Sequence, residues 1–185
     1  MNNSNTSLRI KKMALSSMLL AMAILLPFLT GQLQQLGQAL CPMHIPVLLC
    51  GFLCGWQWGL AVGVTAPLLR SLLFGMPPMY PVAAAMAFEL AAYGLFAGLL
   101  YRLLPKKLPY TYISLIAAML AGRVIWGTVR LGMAGLGGES FPFTAFWAGA
   151  VTDAVPGIII QLILVPVIVV ALQKAGLMFD KKEPK

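Results

Sequence analysis

The sequence predicts an all-α membrane protein: six transmembrane helices in one bundle, with both termini cytoplasmic. Three observations predict it. Of its 185 residues, 60% are hydrophobic and only 10% charged, and the mean hydropathy of +0.88 is too high for a soluble domain of this length. Long apolar runs recur as far as residue 172. Finally, the basic residues fall into clusters that an even number of spans places on a single side of a bilayer.

Runs bounded by Pro, Gly and charge give the spans: Met13 to Leu29, Ile45 to Trp56, Gly59 to Phe74, Val82 to Leu103, Tyr110 to Leu131 and Phe143 to Leu172. The second and third are short, with the turn Trp56-Gln57-Trp58 between them, and read either as a bent hairpin or as a broken pair. Because apolar segments continue along the chain, the first is a retained span rather than a removable signal peptide. Residues 1–185 form a single integral membrane domain, with a basic tail over 1–12, the bundle over 13–172 and a second tail over 173–185.

Arg9, Lys11 and Lys12 precede the first span, Arg102, Lys106 and Lys107 follow the fourth, and Lys174, Lys181, Lys182 and Lys185 follow the sixth. The positive-inside rule makes their common side the cytoplasm. The connections from Thr30 to His44, Gly75 to Pro81 and Met133 to Pro142 then face outward, free of Lys and Arg. The net charge of +8 is thus sorted by topology, and no basic patch interleaved with aromatics points to nucleic acid.

Five ionisable residues lie within the apolar runs: Arg70, Glu89, Arg123, Arg130 and Asp153. A charge in hydrocarbon is costly, so each is expected to face the bundle interior or a watery cavity and to be paired. At 1.5 Å of rise per residue, Arg70 lies about one turn from the outer end of its helix, Glu89 about two turns in and Asp153 about three. Arg130 closes the outer end of the fifth span, and Arg123, seven residues earlier on the same face, is near mid-membrane. One arrangement pairs Arg123 with Asp153 and Arg70 with Glu89 as fixed internal ion pairs. Three arginines against two acids leave a surplus cation, whose natural partner is a carboxylate or phosphate on a ligand.

His44, in Cys-Pro-Met-His-Ile-Pro, stands at the outer mouth of the second helix, where it either lines the same pocket or is structural. Tyr80 and Trp147, with Phe141 and Phe143, either stack on a ligand ring or belong to an interfacial aromatic belt. The Gly- and Pro-rich segments 74–81 and 134–143 are candidate lids, and Glu139 in the second is expected to be solvated. Cys41, Cys50 and Cys54 form no secreted-type disulfide framework, and with His44 they match no zinc spacing, so they are expected to pack.

On the first helix, Ala14, Ser17 and Ala21 form a stripe of small residues, a surface on which another helix can approach closely. The chain has no nucleotide-binding Gly-x-x-x-x-Gly-Lys loop, no His-Glu-x-x-His and no nucleophile–base constellation. Nothing points to an enzyme, a cofactor or a resident metal. A chain that captures solute without an engine of its own needs a partner or an ion gradient.

In this order and spacing, the chain resembles the substrate-binding S components of energy-coupling factor (ECF) transporters. The resemblance rests on the basic N-terminus, the small-residue stripe, the hairpin Ile45-Pro-Val-Leu-Leu-Cys-Gly-Phe-Leu-Cys-Gly55, its continuation Gly59 to Gly75, and Glu89-Leu-Ala-Ala-Tyr-Gly-Leu-Phe-Ala-Gly98. It covers residues 8 to 175 and implies an S-component bundle in a bacterial plasma membrane. The family binds a vitamin or similar micronutrient on the outer side and docks through its first helices on a transmembrane coupling subunit. Two cytoplasmic ATPases then power a toppling motion. Ala14, Ser17 and Ala21 match the docking stripe, Ser17 replacing the more usual alanine. Metal-carrying members begin Met-His, whereas this chain begins Met1-Asn2-Asn3. The surplus arginine favours an anionic cargo, with pantothenate first and riboflavin, folate, cobalamin and queuosine precursors as alternatives. The rival expectations are a stand-alone proton- or ion-coupled transporter of a small organic anion and a membrane enzyme acting on lipid.

Overall fold

The computed structural model describes residues 3–30, 41–137, 142, 147, 154–176 and 178. Six α-helices carry nearly all of them: α1 (Asn3–Thr30), α2 (His44–Cys54), α3 (Trp56–Phe74), α4 (Ala84–Leu103), α5 (Leu108–Gly137) and α6 (Val155–Lys174). A π-helical turn, Met79–Ala83, leads into α4. No strand occurs among the described residues.

Side-chain contacts fix the helix directions. Ser16 of α1 meets Cys50 of α2 at 3.6 Å, and Ile24, farther along α1, meets Arg70 near the end of α3. Phe52 of α2 packs on Tyr101 of α4, while His44 at the start of α2 faces Glu89. Gln173 of α6 donates to the Tyr101 hydroxyl at 2.8 Å. Helices α1, α3 and α5 therefore run away from the end that holds Lys12, Lys106 and Lys174, and α2, α4 and α6 run back toward it. That end is called the basic end below, and its opposite the far end.

The six expected spans appear as six helices, of which four, among the described residues, are long and apolar enough to cross a membrane: α1, α4 with its leading turn, α5 and α6. Helix α3 has the length, at 19 residues, but Gln57, Pro67 and Arg70 dilute its hydropathy. Helix α2 has 11 residues, a length of about 16 Å against a hydrocarbon core of about 30 Å. Every α2 residue except Ile45 is buried, as expected of a helix apolar all round its circumference. It is a half-length helix inside the protein, whose first turn lies level with the middle of α4.

Two boundaries differ for local reasons. The corner between α2 and α3 is Gly55, at φ 98°, a conformation that side-chain-bearing residues avoid, and the expected turn residues Trp56-Gln57-Trp58 instead begin α3. Helix α5 continues past Leu131 to Gly137, so residues 133–137 are helix rather than an outward connection. Glycines 132 and 135 cost helix propensity, about 1 kcal/mol each, without forbidding it. Phe143 as the start of the sixth helix, and the lid residues Phe141 and Glu139, lie outside the described residues; the described helix begins at Val155.

Helix α4 is the hub. Its membrane-spanning window is 61% buried, against 17% for α1 and 28% for α6, so α4 is enclosed by protein while α1 and α6 are largely free to face lipid or a partner. Close packing around α4 depends on the absence of side chains: a Cβ at Gly94 would collide with the Gly59 carbonyl, so α3 and α4 touch backbone to backbone.

Candidate functional site

Leu48 of α2, Tyr93 of α4, Met119 of α5 and Val165 of α6 belong to a single buried core cluster. One helical turn toward the far end from each stand His44, Glu89, Arg123 and Gln161. A polar layer thus caps the apolar core at the level where α2 begins.

At its centre is Glu89, 2% exposed. Its Oε1 forms an ion pair with Arg123 Nη1 at 3.0 Å and accepts a hydrogen bond from the Tyr93 hydroxyl at 3.1 Å. Tyr93 comes from the next turn of the same helix, and Arg123 is the middle of the 30-residue α5. The two helices approach so closely because the neighbour of Arg123 is Gly122, where a Cβ would strike the Tyr93 ring. His44 is 3% exposed, and its ring lies 5.1 Å from that of Tyr93. Its Nδ1 is 3.2 Å from the Cys41 carbonyl, and Nε2 is 3.5 Å from Glu89 Oε1. A carbonyl only accepts, so Nδ1 is the donor in that contact. The Cys41 thiol lies within electrostatic reach of both Arg123 and Glu89. The backbone from Cys41 to Met43 is non-helical, and at membrane depth such backbone is tolerated only within protein or beside a water-filled cavity.

Three buried polar groups of this layer have no hydrogen-bond partner: His44 Nε2, Arg123 Nε, and both ends of the Gln161 amide. Native interiors leave few such groups, each costing about 1–3 kcal/mol. A solute able to donate and accept hydrogen bonds would satisfy them.

Glu89, Arg123 and His44 are the sequence-predicted residues that the fold brings together. Arg123 takes Glu89 as its carboxylate, and its expected partner Asp153 lies outside the described residues. Arg70 does not pair with Glu89. Its Nη1 donates to the Ile24 carbonyl at 2.9 Å, its Nε donates to the Met76 carbonyl at 3.1 Å, and its guanidinium lies 4.9 Å from the centre of the Phe28 ring. Pro27 interrupts the α1 backbone ladder beside this contact, and Arg70 fastens α1 to the end of α3. Arg130 is not at a helix end, because α5 runs two turns farther; it is half-buried on the Arg123 face. Tyr80, 61% exposed, donates from its hydroxyl to the Met133 carbonyl at 3.2 Å and so joins the rim of α4 to α5. Trp147 is exposed.

Tyr93, Gly122 and Gln161 escaped sequence reasoning. Tyr93 sits four residues from Glu89, on the same helical face, and Gln161 is the only polar side chain between Ile158 and Val170. His44 and Cys54 occupy opposite ends of α2, and Cys50 donates to Ser16.

A cavity of about 920 Å³ lies elsewhere: a groove at the basic end, lined by Arg9, Lys12, Met13, Cys54, Gln57 and Trp58. Ala14, Ser17 and Ala21 are all exposed on α1, while Ser16, Leu19 and Ala23 on the opposite face are buried.

These features define a helical membrane protein with a buried polar layer under one end and a bare flank of small residues. The family model for the substrate-specific component of ECF transporters matches residues 11–169. The chain belongs to that family and is a substrate-specific transporter subunit. No curated protein and no solved structure matches it.

Proposed function

We propose that this chain is the high-affinity capture subunit of an ECF-type ABC importer for a water-soluble vitamin or related micronutrient in a bacterial plasma membrane. The observation that carries the reading is the layer of His44, Glu89 and Arg123, buried at mid-bundle where a half-length helix begins and holding unpartnered hydrogen-bonding groups. The positive-inside rule makes the basic end cytoplasmic, so solute enters from the far end, outside the cell. Arg123 and Arg130 lie on one face of α5 along that route, with Tyr80 at the rim and Trp147 as a further contact. Arg130, about 10 Å outward of Arg123, suits a carboxylate, and pantothenate is the first candidate cargo.

The exposed stripe of Ala14, Ser17 and Ala21 meets the transmembrane coupling subunit, and the groove at the basic end faces the same partner. Two ATPases supply the energy. Reconstituted vesicles test this reading: uptake of pantothenate should require the ATPase module and survive an uncoupler. Gradient-driven uptake by the chain alone would sink it in favour of a secondary transporter.

A further inference from the structure

Gln161 has no role in the ion-pair cluster, yet it is 1% exposed with both polar atoms of its amide unpartnered. Its depth follows from a contact at the other end of the bundle. Gln173 is hydrogen-bonded to Tyr101, which sets α6 against α4. Gln161 and Glu89 each lie twelve residues from that contact along helices running in the same direction, so both stand about 18 Å from it, at one level. The buried stripe Gln161, Val165, Val169 agrees, since Val165 and Val169 share the core cluster with Leu48 and Met119, the residues one turn below His44 and Arg123.

We propose that Gln161 and the Glu89–Arg123–His44 cluster form the floor of the solute site, and that the part of the solute reaching this floor is an uncharged donor–acceptor edge: a carboxamide, lactam or imide. This rests on the capture reading above and adds the chemistry of the buried end. Arg123 is already matched by Glu89 at 3.0 Å, so a bare carboxylate placed there would meet Glu89 and compete with it for the same guanidinium. The open groups instead are a donor at Arg123 Nε and one acceptor and two donors on Gln161. An amide edge satisfies donor and acceptor together. Any anionic group of the same molecule lies outward, level with Arg130; pantothenate, with an amide and a carboxylate, has both parts.

The test compares Gln161→Leu with wild type, each as the full chain in detergent. Without solute, Gln161→Leu should melt at or above the wild-type temperature, because it removes an unpaired amide from the interior. A lowered melting temperature would show that Gln161 is paired structurally and overturn the proposal. Both proteins are then loaded from a mixture of pantothenate, riboflavin, folate and cobalamin, and bound solute is identified by mass spectrometry. Gln161→Leu should lose about tenfold or more in affinity for the solute that wild type captures. Unchanged affinity would overturn the floor, and so would capture of a co-purifying solute whose only polar groups are carboxylate or phosphate. Absence of any captured solute on wild type would sink the capture reading, and the floor with it.

Discussion

Arg123 and Arg70 are both arginines in apolar helices, and the bundle treats them differently. Arg123 is held against a nearly inaccessible carboxylate and keeps an unpartnered Nε pointing into a polar layer. Arg70 gives its donors to two backbone carbonyls and lays its guanidinium over Phe28, at a half-buried seam between α1 and α3. A buried charge therefore does not by itself mark a site: Arg70 is spent on the scaffold, while Arg123 has hydrogen-bonding capacity left over. Breaking the first arrangement should be costly and cooperative, and breaking the second cheaper and local.

The largest effect is expected at Glu89. Glu89→Ala strands the Arg123 guanidinium in the interior and should destabilise the solubilised protein by about 3–5 kcal/mol. Arg123→Met should cost a comparable amount by stranding the carboxylate, so loss of stability accompanies any loss of binding at this position. The double variant Glu89→Leu, Arg123→Met should be more stable than either single one. Unfolding titrations of the four proteins measure the coupling, and additive costs would mean that the 3.0 Å contact is energetically idle.

Next in size is Tyr93→Phe, which removes a hydrogen bond to a buried carboxylate and should cost about 1.5–3 kcal/mol. Arg70→Met comes after it. Its bond to Met76 is solvent-exposed and the guanidinium only half-buried, so about 1 kcal/mol is expected, with solute affinity unchanged. A solute affinity that falls with Arg70 while stability holds would place Arg70 in the site and erase the contrast with Arg123.

Much of this contrast was legible in the sequence, and what was not has physical causes. Hydropathy and Pro/Gly punctuation located all six helices, and the rarity of charge in apolar runs singled out Arg70, Glu89 and Arg123. Pairing was not legible, because which carboxylate meets which guanidinium depends on helix approach, set here by Gly122 and the α3–α4 glycine contact. One arrangement open to the sequence pairs Arg70 with Glu89, yet Arg70 turns toward the Ile24 carbonyl on the α1 backbone, near Pro27. The half-length α2 was obscured because an 11-residue apolar run reads as a short span until its burial shows that it never meets lipid. Gln161 was not legible as a site residue, because a lone amide among aliphatic neighbours carries no charge that must be paired.

The smallest effect on stability is expected on the flank farthest from the polar layer. Ala21 is exposed on α1, on the face opposite the buried Ser16, Leu19 and Ala23, so Ala21→Trp should leave the stability of the solitary chain within about 0.5 kcal/mol of wild type. Solute binding by the solitary chain should be equally unaffected. Uptake in vesicles with the coupling subunit and ATPases should nevertheless be lost, because an indole on the Ala14–Ser17–Ala21 stripe prevents a facing helix from approaching closely. That result would separate two surfaces by their signatures: changes to the Glu89–Arg123 pair move stability and binding together, and changes on the flank move transport alone. If Ala21→Trp instead abolished binding as well, the two surfaces would be coupled and the stripe would not act solely as a docking face.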